Sequence, residues 1–249
     1  MSDKRLHLFM IQLICHVALV ASFFVFSLTD WLIVLFVYFL TACLGATITL
    51  HRYYSHRGFE FKNKFLEKFF ILCSVWGAVG DPISWVNTHR NHHRLTDRVG
   101  DPHSPKILGF FRVQWLSMFN TPTSLRMVPD LIRDNFLVFI HKYYFHFHWF
   151  VLVSLLLINW KLAMIIYLVP AAIVWNMGSF INNFGHTVGY RSYESDDTSR
   201  NNLVLGYAVW GEGWHNNHHN APKNVKFGEK WWEFDMGYEI IKLVGYSKQ

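Results

Sequence analysis

Apolar residues run in nearly unbroken stretches over about 6–28, 31–50, 147–159 and 162–181, with neither the alternation of a half-buried strand nor the stripe of a soluble helix. A helix rising about 1.5 Å per residue needs roughly 20 such residues to cross the hydrocarbon layer. The first, second and fourth stretches therefore predict membrane spans. The third is short and predicts a tilted span, one extended upstream through 141–148, or a partly inserted segment. No small-residue cleavage site precedes Trp31, so the first stretch reads as a retained span rather than a signal peptide. A fifth run, Phe65–Val79, begins in a basic stretch and ends in Gly80-Asp81-Pro82, which predicts a helix lying on or dipping into the membrane surface. The sequence has no internal repeat beyond its histidine clusters and no long linker. The expectation is one domain over 1–249, an all-α integral membrane protein whose four spans carry a helical cap made from 51–145 and 182–249.

Composition sharpens this reading. Of 249 residues 52% are hydrophobic, 18% aromatic and 16% charged, which excludes a disordered chain or an ordinary soluble domain. Lys4 and Arg5 precede the first span, no Lys or Arg separates the first two, and Arg52, Arg57, Lys62, Lys64 and Lys68 follow the second. The positive-inside rule then puts both termini and the cap in the cytoplasm, in a bacterial inner membrane or an ER-like one. The net charge of +6 suits anionic lipid headgroups, and no nucleic-acid-binding motif accompanies it, so nucleic acid is not an expected partner. Cys15, Cys43 and Cys73 share no CxxC spacing and read as small core residues.

The chain also has 15 histidines, an excess that packing does not require. They gather in His51-Arg-Tyr-Tyr-Ser-His56, His89-Arg-Asn-His92-His93 and His215-Asn-Asn-His218-His219. On a helix, positions i, i+3 and i+4 share a face, so each HxxHH triplet aims its imidazoles at one point. Residues five apart do not share a face on a regular helix, so His51 and His56 converge only if the helix ends between them; Gly58 would permit the break. Asn182 and His186, at i and i+4 near the end of the fourth span, add a ninth histidine and an amide pointing the same way. His7, His16, His141, His146 and His148 read as interfacial or buried hydrogen-bonded rings, and His103 as a group that could hold a ligand's free ring N–H. Nine imidazoles are too many for one ion and enough for two. Redox iron accepts many nitrogens and leaves room for dioxygen, although imidazole alone excludes neither copper nor zinc. No HExxH motif supports a metalloprotease, and His16 is the one mid-span histidine that a metal transporter could use.

The stretches His51-Arg52-Tyr53-Tyr54-Ser55-His56-Arg57, Trp85-Val86-Asn87-Thr88-His89-Arg90-Asn91-His92-His93, Asp101-Pro102-His103, and Gly211 to His219 resemble the membrane fatty acid desaturases, in particular the delta-9 type that includes stearoyl-CoA desaturase and its bacterial relatives. The resemblance implies two iron ions, with His51, His56, His89, His93 and His219 on one and His92, His186, His215 and His218 on the other. Asn182 would touch a metal through water. It implies oxygen-dependent removal of two hydrogens from a saturated fatty acyl chain, giving a cis double bond, with dioxygen as co-substrate. Electrons would come from a separate ferredoxin, rubredoxin or cytochrome b5, since no His-Pro-Gly-Gly haem signature occurs. Arg90, Arg94, Arg98 and Arg112 are candidates for docking such a carrier, or for meeting lipid phosphates. Where acyl-CoA members carry basic residues, this chain has Asn87 and Asn120-Thr121, which leaves acyl-lipid and acyl-carrier-protein substrates open beside acyl-CoA. Trp85 and Asn87 are candidate substrate contacts, and Leu35 and Phe39 candidates for closing the acyl slot. The short chain, with little beyond the third histidine cluster, fits a minimal bacterial or viral catalytic core. A di-iron hydroxylase of lipids, sterols or alkanes is the rival reading; its product would be an alcohol.

Overall fold

The computed structural model describes residues 4–247; the first three and last two positions of the expected 1–249 span lie outside the described residues. Four helices are long and apolar enough to cross a membrane: α1 (Lys4–Val25), α2 (Leu28–Ser55), α7 (Asn135–Ile158) and α8 (Trp160–Phe184). They form two hairpins whose turns meet. Ser27 and Asp30 cap α2 reciprocally, the Ser27 amide donating to Asp30 Oδ2 at 2.7 Å and the Asp30 amide donating to Ser27 Oγ at 3.3 Å. Lys161 Nζ then reaches the same carboxylate at 2.8 Å, tying the start of α8 to the start of α2. Between the hairpins a core forms from Ile11, Cys15 and Ala18 of α1, Val34 of α2, Leu152 of α7 and Met164 to Ala172 of α8.

The third and fourth spans are longer than the apolar runs suggest. Asp134 caps α7, its Oδ1 accepting from the amides of Phe136 and Leu137, so the helix begins at Asn135 and includes the polar stretch His141 to His148. Those polar side chains are satisfied by neighbours: His141 Nδ1 lies 2.7 Å from Asp81, and His148 Nδ1 2.6 Å from the Tyr167 hydroxyl. The expected fifth element is α3 (Lys64–Trp76), capped by Asn63 and packed along α2, with Phe65, Phe69 and Leu72 left exposed.

A larger departure concerns α2. It does not break between His51 and His56. From Phe39 to Ser55 it widens to an i→i+5 hydrogen-bonding pattern, continued by the His56 amide on the His51 carbonyl at 3.1 Å, while Thr49 and Ser55 hydroxyls donate to the carbonyls of Leu44 and Leu50, also five back. In such a helix residues five apart stack, and the His51 and His56 rings stand 4.9 Å apart. Gly58 serves another purpose: a Cβ there would meet the Lys223 carbonyl at 2.9 Å and Val225 at 2.7 Å.

The cap is built on these helices by α4 (Pro82–Leu95), the short α5 (Pro105–Leu108) and α6 (Phe110–Leu116), α9 (Leu203–Ala208), α10 (His215–Asn220) and α11 (Met236–Val244). The fold is not purely helical. Strand β1 (Phe59–Phe61) pairs antiparallel with β2 (Gly245–Ser247), Glu60 opposite Tyr246, and fastens the end of the cap beside the exit of α2.

The approach of α3 to α2 requires a glycine. A Cβ on Gly45 would lie 2.6 Å from the Ser74 backbone, which cannot move aside as a side-chain tip could. Gly45→Ala should cost about 1–3 kcal/mol through overpacking. The check is the thermal midpoint of the purified protein in detergent, which should fall.

Candidate metal centre

Helices α2, α4, α8 and α10 each deliver histidines to one place. Asp81 caps α4 by accepting from the Ser84 amide, Pro82 opens its first turn, and His89, His92 and His93 follow on the face turned inward. The short α10 is held by asparagines: Asn201 Oδ1 accepts from the amides of Asn216 and Asn217, while Asn217 Nδ2 donates to Glu233 and to the Phe227 carbonyl. The two asparagines of His-Asn-Asn-His-His thus fix the helix so that its histidines point the other way. Gly211 (φ +106°) brings the chain into α10 so closely that a Cβ would meet Asp235 at 2.3 Å.

The nine histidines fall into two groups, each with ring nitrogens within 4.8 Å of one another: His51, His56, His89, His93 and His218 in one, His92, His186, His215 and His219 in the other. The five-and-four division agrees with the resemblance, but His218 and His219 exchange places. The reason lies in α10, where His218 Nε2 sits 3.0 Å from both His51 Nε2 and His93 Nε2, while His219 turns toward His215, ring centroids 4.4 Å apart. Further close pairs are His56 Nε2 with His89 Nε2 at 2.8 Å and His186 Nε2 with His215 Nε2 at 3.1 Å.

These distances fit a metal. A single N–H on His218 Nε2 cannot donate to two rings at once, whereas two nitrogens each about 2.1 Å from one ion and at right angles lie about 3 Å apart. His92 Nε2 and His219 Nε2 are buried with no hydrogen-bond partner, an arrangement that a cation would satisfy and that is otherwise costly.

Carboxylates set the ring orientation. Glu212 binds His51 Nδ1, Asp101 lies 2.9 Å from His92 Nδ1, Asp97 3.3 Å from His186 Nδ1 and Asp197 3.0 Å from His219 Nδ1. Each therefore holds the proton on Nδ1 and leaves Nε2 with its lone pair directed inward. Burial, reinforced by the neighbouring rings, pushes His56, His89, His93, His215 and His218 well below the usual imidazole range, and burial brings His219 to about 4 against the opposing pull of Asp197. These six rings are thus neutral and able to ligate at neutral pH. Burial raises Asp97 and Asp197, but hydrogen bonds outweigh it, from the His186 ring, Ser104 and Thr198 to Asp97 and from the His219 ring and Ser199 to Asp197, and hold both carboxyls far below their ordinary value. Glu212 also receives Arg52 Nη2 at 3.5 Å; Arg52, fully buried, pairs with Asp235 at 2.9 Å. Arg52 is therefore a structural cation under the centre rather than a surface charge.

A cavity of ≈ 730 Å³ runs from Lys4, Arg5, Asp81 and His141 to His51, His89 and His215, and on to Ala42, Val174, Met177 and Val209. One face of α4 lines it with Asp81, Ser84, Trp85 and Thr88, and the Trp85 indole stacks on His89 with centroids 5.3 Å apart. Asn182 and His103 are also in its wall.

Several expectations need correction. Asn87 is buried away from the cavity, donating to the carbonyls of Pro122 and Ser124. Leu35 is 53% exposed on the outer face of α2 and Phe39 packs on Trp210, because the wide helix presents Ala42, Ala46, Thr47 and His51 to the cavity instead. Asp101, not the His103 ring, holds His92; the His103 amide donates to that same carboxylate. Arg90 is unavailable for docking, since it binds Asp130 and the carbonyls of Tyr54, Ser55 and Met127. Sequence spacing missed Glu212, Asp97 and Asp197. Glu212 stands three residues before His215, a faint signal; Asp97 and Asp197 meet their histidines only through the fold.

The fold and site define a mostly helical protein with four helices able to cross a membrane and a histidine cluster able to hold metal. The chain belongs to the fatty acid desaturase family, whose model matches residues 29–243. It is 35% identical to the sn-1 stearoyl-lipid 9-desaturase of Anabaena variabilis over 85% of this chain and 79% of that one. It is 32% identical to an acyl-CoA 5-desaturase of Anemone leveillei over 93% and 74%, and 34% identical to the hex-5-enoyl-[acyl-carrier protein] acetylenase of Moorena producens over 80% and 68%. The protein is accordingly an oxidoreductase that desaturates fatty acyl groups.

Replacing a carboxylate that orients a ring should loosen metal without unfolding the chain. Asp101→Asn and Asp197→Asn are each expected to lower metal affinity roughly 10–100-fold. Metal content measured by plasma mass spectrometry after dialysis against graded chelator reads this directly.

Proposed function

We propose that the protein is an oxygen-dependent desaturase of the delta-9 type, one domain whose four long helices span a membrane with both termini and the metal centre on the cytoplasmic side. The nine histidines would hold two iron ions, five nitrogens on one and four on the other. Five imidazoles exceed the four ligands of a closed zinc site, which favours iron among the metals that imidazole accepts. The observation that carries the reading is the cavity: largely apolar, long, and passing directly under His51, His89 and His215.

Bound iron would supply the activation of dioxygen and the abstraction of hydrogen from the acyl chain. The overall change removes two hydrogens from adjacent carbons and reduces dioxygen to two waters with two electrons and two protons from outside. The protein's own part is placement. Trp85, Thr88, Val174 and Trp175 wall the cavity so that a methylene pair would rest beside the histidines, and the buried, neutral cluster keeps bulk water from the reacting carbons. Lys4 and Arg5, at the other end, suit an anionic headgroup; acyl-lipid, acyl-CoA and acyl-carrier-protein substrates all supply one. Electrons would enter where the cluster comes nearest solvent, at the half-buried His56 and His93, flanked by exposed Arg57 and Arg94. That basic rim suits an acidic ferredoxin, rubredoxin or cytochrome b5.

Expression in a desaturase-deficient host, with double-bond localisation by mass spectrometry of total fatty acids, tests the reading. New monounsaturated chains are expected, unsaturated at carbon 9, and should vanish with His218→Ala while the protein remains in the membrane fraction. Hydroxylated lipid in their place would establish the rival hydroxylase.

A further inference from the structure

Helix α9 carries an apolar face that the metal centre does not use. It packs inward on α8 through Leu205 and Val209 against Ile181, Met177 and Phe180. Its outer side leaves Leu203, Val204 (73% exposed) and Tyr207 uncovered, and next to them stand Trp231 (91% exposed), Trp232 and Phe234. The two patches are joined, since the Tyr207 hydroxyl donates to the Trp232 carbonyl.

Depth along α2 identifies what covers this surface. The Tyr38 hydroxyl donates to the Ala208 carbonyl at 2.9 Å, and Trp210 packs on the rings of Tyr38 and Phe39. Tyr38 follows Asp30, at the hairpin turn, by eight residues, about 12 Å along a helix in a hydrocarbon layer about 30 Å thick. Ala208 is within one tyrosine side chain of that depth, whereas the Asn202 amide, at the other end of α9, donates to the carbonyl of Gly213, two residues from His215 at the centre. Helix α9 thus descends from the level of the histidines toward the middle of the bilayer. Its backbone is satisfied at that depth, with Val209 bonding back to Leu205, Gly211 to Gly206 and Trp214 to Gly211. Lys230, 4.4 Å from the Tyr190 ring centroid and 5.4 Å from that of Trp232, supplies the cation that accompanies aromatic rings at a headgroup boundary.

We propose that α9, the return through Gly213 and the Trp231-Trp232 loop form a re-entrant wedge in the cytoplasmic leaflet, with lipid acyl chains against Val204 and Tyr207 and lipid headgroups at Lys230. The wedge rests on the membrane-spanning reading above. Its inner residue Val209 lines the acyl cavity, so the same short helix separates that cavity from the surrounding lipid.

The three native cysteines are buried, which allows single surface positions to be labelled. Val204→Cys, Phe24→Cys on the outer face of α1 and Val99→Cys on a cap loop would each carry an environment-sensitive fluorophore in full-length protein reconstituted in phosphatidylcholine vesicles. Quenching by doxyl-labelled lipid is compared with quenching by aqueous iodide. The wedge requires position 204 to match position 24, quenched several-fold more by the lipid probe, with position 99 showing the reverse. Iodide quenching at 204 like that at 99 overturns the wedge and leaves the spans intact; protection from both quenchers overturns it in favour of a protein neighbour. If position 24 itself is reached by iodide, the spanning reading falls and the wedge with it.

Discussion

Nine imidazoles must be brought within a few ångströms of one another, away from water, without any of them carrying a proton on the nitrogen that faces inward. Most of the cap answers that constraint. Burial, with the neighbouring rings, keeps His56, His89, His93, His215, His218 and His219 neutral, because a charged imidazole there would be desolvated among other rings. Neutrality does not choose the tautomer, however, and four carboxylates make that choice by taking the Nδ1 side. Those carboxylates are themselves buried and need their own partners. Asp97 has Ser104 and Thr198, Asp101 has the amides of Asp97 and His103, and Glu212 has Arg52, which in turn has Asp235. The centre is therefore three layers deep, and the outer layers are drawn from 97–104, 197–201 and 225–235, segments with little regular structure of their own.

The widened α2 is the second consequence. A regular helix would send His51 and His56 to different sides, and breaking it would leave carbonyl groups unsatisfied beside the cluster. The i→i+5 pattern keeps the backbone bonded while bringing the two rings edge to face, and it also turns Ala42, Ala46 and Thr47 onto the same side as His51. Small residues there keep the cavity open beside the histidines. Gly45, on the opposite side, lets α3 lie against the wide helix. One local change of helix geometry thus sets ligand convergence, cavity width and helix packing together.

This explains which features were legible in the sequence. The HxxHH spacings of α4 and α10 are local, so six of the nine histidines stood out by pattern, His51 and His56 as a cluster of their own and His186 by its i+4 relation to Asn182. The exchange of His218 for His219 was not legible, because adjacent residues on a six-residue helix are sorted only by how Asn216 and Asn217 anchor it. The long apolar helices α1, α2 and α8 followed from hydropathy, whereas the apolar run of α7 is short because its earlier turns carry His141, Lys142, His146 and His148; of these, His141 and His148 meet Asp81 and Tyr167, both distant in sequence. Charge counting misread Arg52 and Arg90, two cations that serve carboxylates and carbonyls within the fold rather than the surface. Leu35 and Phe39 failed as slot residues because regular helical periodicity does not extend through α2.

In the proposed reading, acyl carrier and chain position would be set by a different part of the molecule from the part that performs the chemistry. The cavity is lined by His51, His89, His215, Glu212 and Trp85, and beyond them by Lys4, Arg5 and His141 and by Ala42, Val174 and Val209. Relatives named for lipid, CoA and carrier-protein substrates, and for positions 9 and 5, all match this chain at 32–35% identity. Under that reading a headgroup would act only near Lys4 and Arg5, and its distance from the histidines would fix which carbons lie beside them. Changes remote from the cluster would then alter carrier or position without disturbing any ring nitrogen, whereas a change within it would alter all of them, because every histidine there shares its burial with eight others.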